Sequence, residues 1–428
     1  MTEPVAQETQ LNAPEPANPW VPNIDEDPYS YSLEELNVSQ PELFEKHWQY
    51  RYFERLRKEA PVHFCPDGEF GPYWSLTKYE DILAVDRNHQ AFSSYPNIVY
   101  QDPLEDFKTD MFIAMDPPKH DEQRKEVQGV VGPANLKVLQ HEIRERVCSI
   151  LDSLPVGEEF DWVDKVSIEL TTQMLATLFD FPFEDRRLLT YWSDITTARV
   201  EPGGLVESDE ERQGILLECL AYFTRLFHER KQKAPGNDLV SMLAHGESTK
   251  DSEPMEFLGN LMLLIVGGND TTRNSISGGV LALNQYPEEY QKLRENHDLI
   301  PNMVSEVIRW QTPLAYMKRR TVADTVVGGQ KIREGDKVLM WYASGNRDEE
   351  MFEDADRLII DRPNARRHMA FGFGIHRCMG NRLAEMQLRI LWEEIMARFD
   401  NIEVVGEPER VRSSFVQGYL NLPVRIHA

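Results

Sequence analysis

Cysteine is scarce in this chain of 428 residues, which contains only four: Cys65, Cys148, Cys219 and Cys378. The four lie far apart and form no closely spaced pair. The sequence therefore shows neither the framework of a disulfide-rich secreted domain nor the paired spacing of a zinc site. Unpaired thiols are typical of a reducing compartment, so we expect a cytoplasmic protein.

Long apolar runs are also missing. The most apolar stretch, Leu258 to Gly268, is shorter than the roughly 20 residues that a helix needs to cross a bilayer. Residues 1–22 are rich in Pro, Ala, Glu, Gln and Asn and contain no apolar core of a signal peptide. The sequence thus predicts no membrane anchor and a flexible start of the chain.

Positive charge is in deficit, because 46 Lys and Arg residues stand against 72 Asp and Glu residues, giving a formal net charge of -26. Such a charge repels phosphates, so we expect no nucleic acid partner. One segment differs: between Arg362 and Arg389 the only acid is Glu385, and the arginines lie at positions 362, 366, 367, 377, 382 and 389. These are either scattered surface and cofactor-facing arginines or a basic docking face.

Cys378 lies in a distinctive context, at the end of the loop Phe-Gly-Phe-Gly-Ile-His-Arg-Cys-Met-Gly that begins at Phe371. Gly372 and Gly374 allow backbone conformations that other residues avoid. Apolar residues at helical spacing from Asn381 onward predict a helix, so Cys378 lies at a helix N-terminus, where unpaired N–H groups favour a thiolate. An anionic sulfur of this kind is a ligand of haem iron, whereas a lone cysteine is more often a small buried hydrophobe.

A long helix is predicted from Pro254 to about Tyr286, with Gly-Gly-Asn-Asp-Thr-Thr in its middle, from Gly267 onward. Two glycines cost up to about 1 kcal/mol each in a helix interior, so another interaction must compensate. Taken alone, the pattern indicates a kink in which Thr271 bonds back to a carbonyl.

Three further patterns have ordinary interpretations when each is taken alone. His120 and Arg124 lie four apart on one helix face, and Glu306 and Arg309 lie three apart, as surface pairs do. The third pattern is a basic run, Lys-Arg-Arg at 318–320, that precedes a predicted strand.

Together, in this order, these motifs resemble those of the cytochromes P450, and the resemblance covers the chain from about Trp48 to its C-terminus. It implies a mainly α fold with small β-sheets, in which residues 1–41 form a flexible segment and residues 42–428 a single haem domain. It also implies a bound haem b whose iron takes the Cys378 thiolate as axial ligand. The remaining residues implied to hold the haem are His120, Arg124, Arg319, His376, Phe371, Gly372 and Gly380.

The resemblance also assigns roles to the other motifs. Asp270 and Thr271 are implied to be catalytic, with Thr271 acting on bound oxygen and Asp270 relaying protons from solvent. Glu306 and Arg309 are implied to be structural. The propionate-binding arginine falls at Arg319 by its usual offset, but the adjacent Arg320 stays open as an alternative.

Within the family, the sequence looks like the soluble bacterial alkane terminal (ω-) hydroxylases. This similarity implies hydroxylation of medium-chain alkanes or fatty acids, with electrons that reach the haem from NAD(P)H through a separate ferredoxin reductase and ferredoxin. A peroxide-driven peroxygenase and a non-catalytic haem sensor or carrier are the alternatives, and Asp270 and Thr271 argue against both. The residues implied to line an apolar substrate pocket are Ile98, Phe112, Leu263, Val266, Gly267, Leu314 and Phe415.

Overall fold

A computed structural model describes residues 24–427. As the sequence predicts, this part of the chain is mainly helical with small sheets. Its α-helices, α1 to α14, are Pro41–Glu45, Gln49–Glu59, Tyr79–Arg87, Lys119–Val127, Pro133–Asp152, Glu169–Phe179, Arg187–Thr197, Asp209–Lys231, Leu239–His245, Pro254–Gln285, Pro287–Glu295, Ile300–Gln311, Tyr342–Gly345 and Asn381–Arg398. Its strands, β1 to β12, are Val62–Cys65, Tyr73–Leu76, Phe92–Ser93, Glu159–Asp161, Met317–Thr321, Thr325–Val327, Gln330–Ile332, Lys337–Met340, Asn401–Val404, Glu409–Arg410, Tyr419–Asn421 and Pro423–His427.

The helix α10 is the axis of the fold. Its 32 residues span about 48 Å at 1.5 Å per residue. It begins with Pro254 at a position where the missing N–H costs nothing, and it ends at Gln285, before Pro287. Helices α6, α7 and α12 pack along it, and most of its residues are buried. Such a helix can position groups in the middle of the molecule.

The largest sheet has five strands in the order β1-β2-β8-β5-β3, with β2 and β8 parallel and the other pairs antiparallel. Arg319 lies on β5 opposite Val338 of β8. Because β5 pairs with β8 on one side and with β3 on the other, the direction of the Arg319 side chain is fixed. Near the C-terminus, β10 and β11 pair to form a hairpin whose intervening loop contains Phe415.

Helices α1 and α2 are separate, because His47 between them adopts a left-handed backbone conformation with φ 60°. One expectation about the start of the chain needs correction. The predicted flexible segment extends to residue 41, but Leu36 and Val38 are each only 1% exposed and pack against α2. Apolar side chains thus tie residues 24–41 to the core, and the remainder, residues 1–23, lies outside the described residues.

Among residues 24–427, no helix combines the length and the hydropathy that crossing a membrane would require. The longest, α10, contains Asn269, Asp270 and Arg273 in its middle.

Candidate active site

A cavity of about 560 Å³ lies between α10 and the loop that carries Cys378. The loop between β3 and α4, the helix α6, the strand β5 and the C-terminal hairpin close its sides. All seven residues predicted to line a substrate pocket are in its wall, and so is the cysteine. The structure therefore joins motifs that are almost 300 residues apart in the sequence. The seven are Ile98, Phe112, Leu263, Val266, Gly267, Leu314 and Phe415.

The cysteine loop depends on its glycines. Gly372 and Gly374 have φ values of 63° and 65°, and a Cβ at Gly374 would lie 2.7 Å from the carbonyl oxygen of Asp86. The N–H of Cys378 donates to the carbonyl of Phe371 at 2.8 Å, and α14 begins three residues after the cysteine. The loop thus closes on itself and presents the sulfur at the start of a helix.

The Cys378 thiol is open to the cavity. The surrounding protein raises its pKa by desolvation, while the backbone N–H groups of Gly380 and Asn381 and the guanidinium groups of Arg124 and Arg377 act in the opposite direction. Gly380 lines the cavity beside the sulfur. Burial is the larger effect, and the local donors and cations partly offset it in the direction that a thiolate ligand requires.

His120 and His376, from distant segments, meet edge to face with ring centroids 4.4 Å apart. His120 bonds through Nδ1 to Asp121 at 2.7 Å. Burial lowers the pKa of His376 to about 2, and the nearby Arg319 acts in the same direction. Within residues 24–427, Nε2 of His120 and both ring nitrogens of His376 are buried without a hydrogen-bond partner. A buried imidazole N–H needs an acceptor, so this cluster suits an anionic group.

The structure distinguishes the two arginines of β5. Arg319 is 2% exposed, lines the cavity and donates through Nη2 to Asp86 at 2.8 Å. Arg320 is not part of the cavity wall, and it donates to Asp102 at 2.8 Å and to the carbonyl of Gly335 at 2.9 Å. Successive side chains of a strand point to opposite faces, so only Arg319 is placed to meet a cofactor.

Asp86 is an important site residue that the sequence interpretation missed. Its carboxylate accepts from Arg319, from the Tyr342 hydroxyl at 2.8 Å and from the Phe373 backbone N–H at 2.7 Å. It therefore ties the five-stranded sheet to the cysteine loop. The sequence contains a signal for it: Asp86 lies four residues after Ile82 on the apolar face of α3, where an acid needs a specific partner.

The two adjacent glycines in the middle of α10, Gly267 and Gly268, have different functions. Gly267 faces the cavity, and apart from its own helix backbone and chain neighbours no heavy atom of the described residues lies within 4 Å of a Cβ placed there. At Gly268 a Cβ would lie 2.7 Å from the side chain of Leu175, so this glycine allows α6 to pack closely. Thr271 lines the cavity and donates to the carbonyl of Gly267 at 2.9 Å. The back-bond predicted for Thr271 is present, and α10 continues as a helix through it.

Asp270 is fully buried and lies away from the cavity wall, in a network between α10 and α7. Its carboxylate accepts from Arg273 at 2.9 Å, from Ser193 at 3.2 Å and from Thr197 at 3.3 Å. Arg273 also donates to Asp194 at 2.8 Å, and the Asp194 side chain is 30% exposed. Asp270 does not itself line the cavity, but its partner Thr197 does, and the Arg273–Asp194 pair connects the network toward solvent.

Glu306 and Arg309 form an ion pair deep in the protein and not at its surface. Both side chains are 0% exposed, and Arg309 donates to Glu306 through two nitrogens at 2.7 and 2.8 Å. Arg362 reaches the same carboxylate at 3.0 Å. Arg362 is thus a buried ion-pair partner and does not belong to a basic surface, although Arg366, Arg367 and three other arginines of that segment remain at least partly exposed.

These features fit a haem. The thiol is open to the cavity, the space at Gly267 is free of side chains, and Arg124, Arg319, His120 and His376 are the residues that would supply donors for its two propionates. His120 is the one member of this set that does not itself line the cavity, and it contributes through its contact with His376. Fold and site together define a haem-thiolate protein.

The comparisons with known proteins agree. The profile of the family described as "Cytochrome P450" matches residues 138–417, and the chain belongs to the cytochrome P450 family. It is therefore a haem-thiolate monooxygenase.

Several known relatives match over nearly their full length. Linalool 8-monooxygenase from Pseudomonas putida is 35% identical over 404 residues, which cover 92% of this chain and 99% of that protein. A methyl-branched lipid omega-hydroxylase from Mycobacterium tuberculosis is 32% identical over 388 residues, with 87% and 90% covered.

Two solved structures are more similar in sequence. A cytochrome P450-153 from Novosphingobium aromaticivorans is 47% identical with a TM-score of 0.86, and 91% of this chain and 99% of that chain are covered. CYP153D17 from a Sphingomonas species is 48% identical with a TM-score of 0.87, and 92% and 99% are covered. This chain thus resembles the alkane ω-hydroxylase branch of the family.

Proposed function

We propose that this monooxygenase hydroxylates medium-chain alkanes or fatty acids at the terminal carbon. The observation that carries the proposal is the single cavity in which Cys378 and all seven predicted pocket residues meet. Six of those seven side chains are apolar, and the seventh position is Gly267, which leaves space at the helix. A chain with no polar group near its end can bind there by the hydrophobic effect. The similarity to the P450-153 structures and to the lipid omega-hydroxylase supports the same position of attack.

Terminal attack requires geometric control, because a terminal C–H bond is harder to break than its neighbour. When bound through Cys378, haem supplies the activation of dioxygen. Arg124, Arg319, His120 and His376 would hold its propionates. Walls that admit only the end of a chain then decide which carbon reacts, since orientation can contribute several kcal/mol.

We assign the supply of protons to residues of α10 and α7. The Thr271 hydroxyl is held by the carbonyl of Gly267 and keeps its oxygen lone pairs available to the cavity. Asp194 connects with solvent and shares Arg273 with the buried Asp270. Burial raises the pKa of Asp194, with Arg273 opposing this shift, so its carboxyl can take up a proton more readily than an exposed one. We propose that Arg273 holds the two carboxylates in place, that protons enter the cavity from Asp270 through the Thr197 hydroxyl, which lines the wall, and that Thr271 holds a proton at Oγ1.

We propose that electrons arrive from NAD(P)H through a separate reductase and ferredoxin. The test is turnover of octane by the holoenzyme with ferredoxin, reductase and NADH, compared with hydrogen peroxide alone. We expect mainly 1-octanol, and only with the electron-transfer partners. Mainly internal alcohols, or no turnover of any linear aliphatic compound, would contradict the substrate assignment. Faster turnover with peroxide alone would favour the peroxygenase alternative.

A further inference from the structure

Three arginines lie in the cavity wall apart from the two that accompany Cys378. Arg199 follows α7, Arg212 lies in the first turn of α8, and Arg412 lies in the C-terminal hairpin. Their side chains are 25%, 19% and 37% exposed. Because they are partly exposed, they mark the part of the cavity that is close to solvent, and we call them the rim arginines.

Two of the rim arginines have hydrogen-bonded carboxylate partners. Arg199 forms a fork with Glu69, with N to O distances of 2.6 and 3.0 Å. Arg412 donates to Glu42 and, at 3.1 Å, to Glu201. Their charges are therefore balanced within the protein, and neither needs a ligand.

Arg212 differs from both. Its Nη2 donates to the carbonyl of Ala198, and the nearest carboxylate of its ion pair, on Asp209, lies 3.7 Å from Nη1, beyond hydrogen-bond range. In the described part of the chain, its Nε is buried and has no partner. Burial lowers the pKa of Arg212, and Asp209 opposes this only by its charge. A desolvated guanidinium with an unused donor is costly unless an anion pairs with it.

We propose that Arg212 binds the carboxylate of the substrate, so that chains hydroxylated at one end carry a carboxylate at the other. The planar guanidinium matches a carboxylate in geometry and charge, and the cavity connects it to the apolar wall through Leu216, one turn further along α8. Arg124 and Arg319, the other two arginines of the cavity wall, are the ones proposed to hold the cofactor. The inference rests on the proposed function and narrows its substrate class from aliphatic chains to medium-chain fatty acids.

The test compares two ligands that differ in charge. Dodecanoic acid and methyl dodecanoate are titrated into the holoenzyme at neutral pH, and binding is followed by calorimetry and by the substrate-induced spin shift. We expect Arg212→Gln to raise the dissociation constant for the acid by about 10-fold to 100-fold, as loss of a charge-assisted hydrogen bond does, and to leave that for the ester unchanged. Arg225→Gln is the matched control, because Arg225 is on the same helix and stacks on Tyr222 outside the cavity wall.

Several outcomes would overturn the inference. Unchanged affinity of Arg212→Gln for the acid would do so, and so would equal losses for acid and ester, which indicate a structural role. If Arg212→Gln does not fold, Arg212→Lys is tested in its place, because lysine keeps the charge but lacks the forked guanidinium. We expect a smaller loss of affinity that is confined to dodecanoic acid. Octane hydroxylation tests the proposed function separately: terminal hydroxylation of octane with no effect of Arg212 on the acid would remove this inference alone.

Discussion

Thr271 donates its hydroxyl proton to the carbonyl of Gly267, 2.9 Å away and one turn earlier in α10. This bond satisfies a carbonyl beside the open space at Gly267 and fixes the threonine side chain at the cavity wall. The pair therefore places one hydroxyl oxygen where a ligand of the cavity can use it.

Thr271→Ala removes this hydroxyl without changing the helix. We expect NADH oxidation to continue while its coupling to product falls by at least about tenfold, with hydrogen peroxide as the main product, because a proton-delivery group is lost. Binding of substrate, followed by the spin shift, should change little. Thr271→Ser retains Oγ and should keep most of the coupling. Full coupling in Thr271→Ala would refute the proposed role.

Cys378→His tests the axial ligand. The sulfur is the one thiol in the described cavity wall, so its loss should abolish the strongly red-shifted Soret band that the reduced, carbon monoxide-bound thiolate haem shows. Cys148→Ser is the control, because Cys148 is half-buried on α5 near Glu394. If the red-shifted band persists in Cys378→His, the assignment is wrong.

Glu306→Gln should strongly destabilise the fold. Glu306 is the shared carboxylate of two buried guanidinium groups, and removing its charge leaves Arg309 and Arg362 uncompensated. We expect the free energy of unfolding in urea to fall by roughly 3–5 kcal/mol. Glu288→Gln changes an ion pair with Arg357 in which both side chains are more than half exposed, and it should cost at most about 1 kcal/mol. Equal effects of the two substitutions would contradict this.

Reduction by an acidic ferredoxin should depend on the exposed arginines near the cysteine. Arg366, Arg367 and Arg377 are exposed, whereas Arg362 is buried. We expect Arg367→Glu to slow ferredoxin reduction by roughly tenfold at low salt, and salt to slow the wild type, because the screening length is about 10 Å at 0.1 M. Lys331→Glu, on the exposed strand β7, is the charge-matched control. A rate that is insensitive to both salt and Arg367→Glu would remove the proposed docking face.

The residues that the sequence assigns to the pocket lie in one cavity wall, whereas the contacts of Asp270 could not be derived from the sequence. Adjacent residues of a helix point about 100° apart, so Asp270 can face α7 while Thr271 lines the cavity. The motif spacing places Asp270 and Thr271 near the expected cofactor. Only the tertiary structure shows that Ser193 and Thr197 of α7 donate hydrogen bonds to the Asp270 carboxylate. The sequence interpretation missed Asp86 and Arg212 for a related reason. Their importance depends on partners that are distant in the sequence or missing from the protein.

The position of Leu314 makes the last prediction possible. Its backbone neighbours are fixed by the hairpin: Ala315 donates to Phe415 at 2.8 Å, and Gln417 donates to Pro313 at 2.9 Å. Leu314 itself bridges to Val416 and presents its side chain to the cavity. Because the backbone is held on both sides, a smaller side chain leaves space that the surrounding residues cannot close.

Leu314→Ala should therefore release octane from its end-on orientation. One methylene in a pocket is worth about 1–3 kcal/mol of discrimination, and the penultimate C–H bond is intrinsically weaker, so the ratio of 1-octanol to 2-octanol should fall by about tenfold or more. Gas chromatography of the products measures this ratio. Leu420→Ala removes the same atoms from an exposed strand of the same hairpin, where the side chain is 53% exposed, and should leave the ratio unchanged. An unchanged ratio in Leu314→Ala would mean that other walls of the cavity control the terminal position.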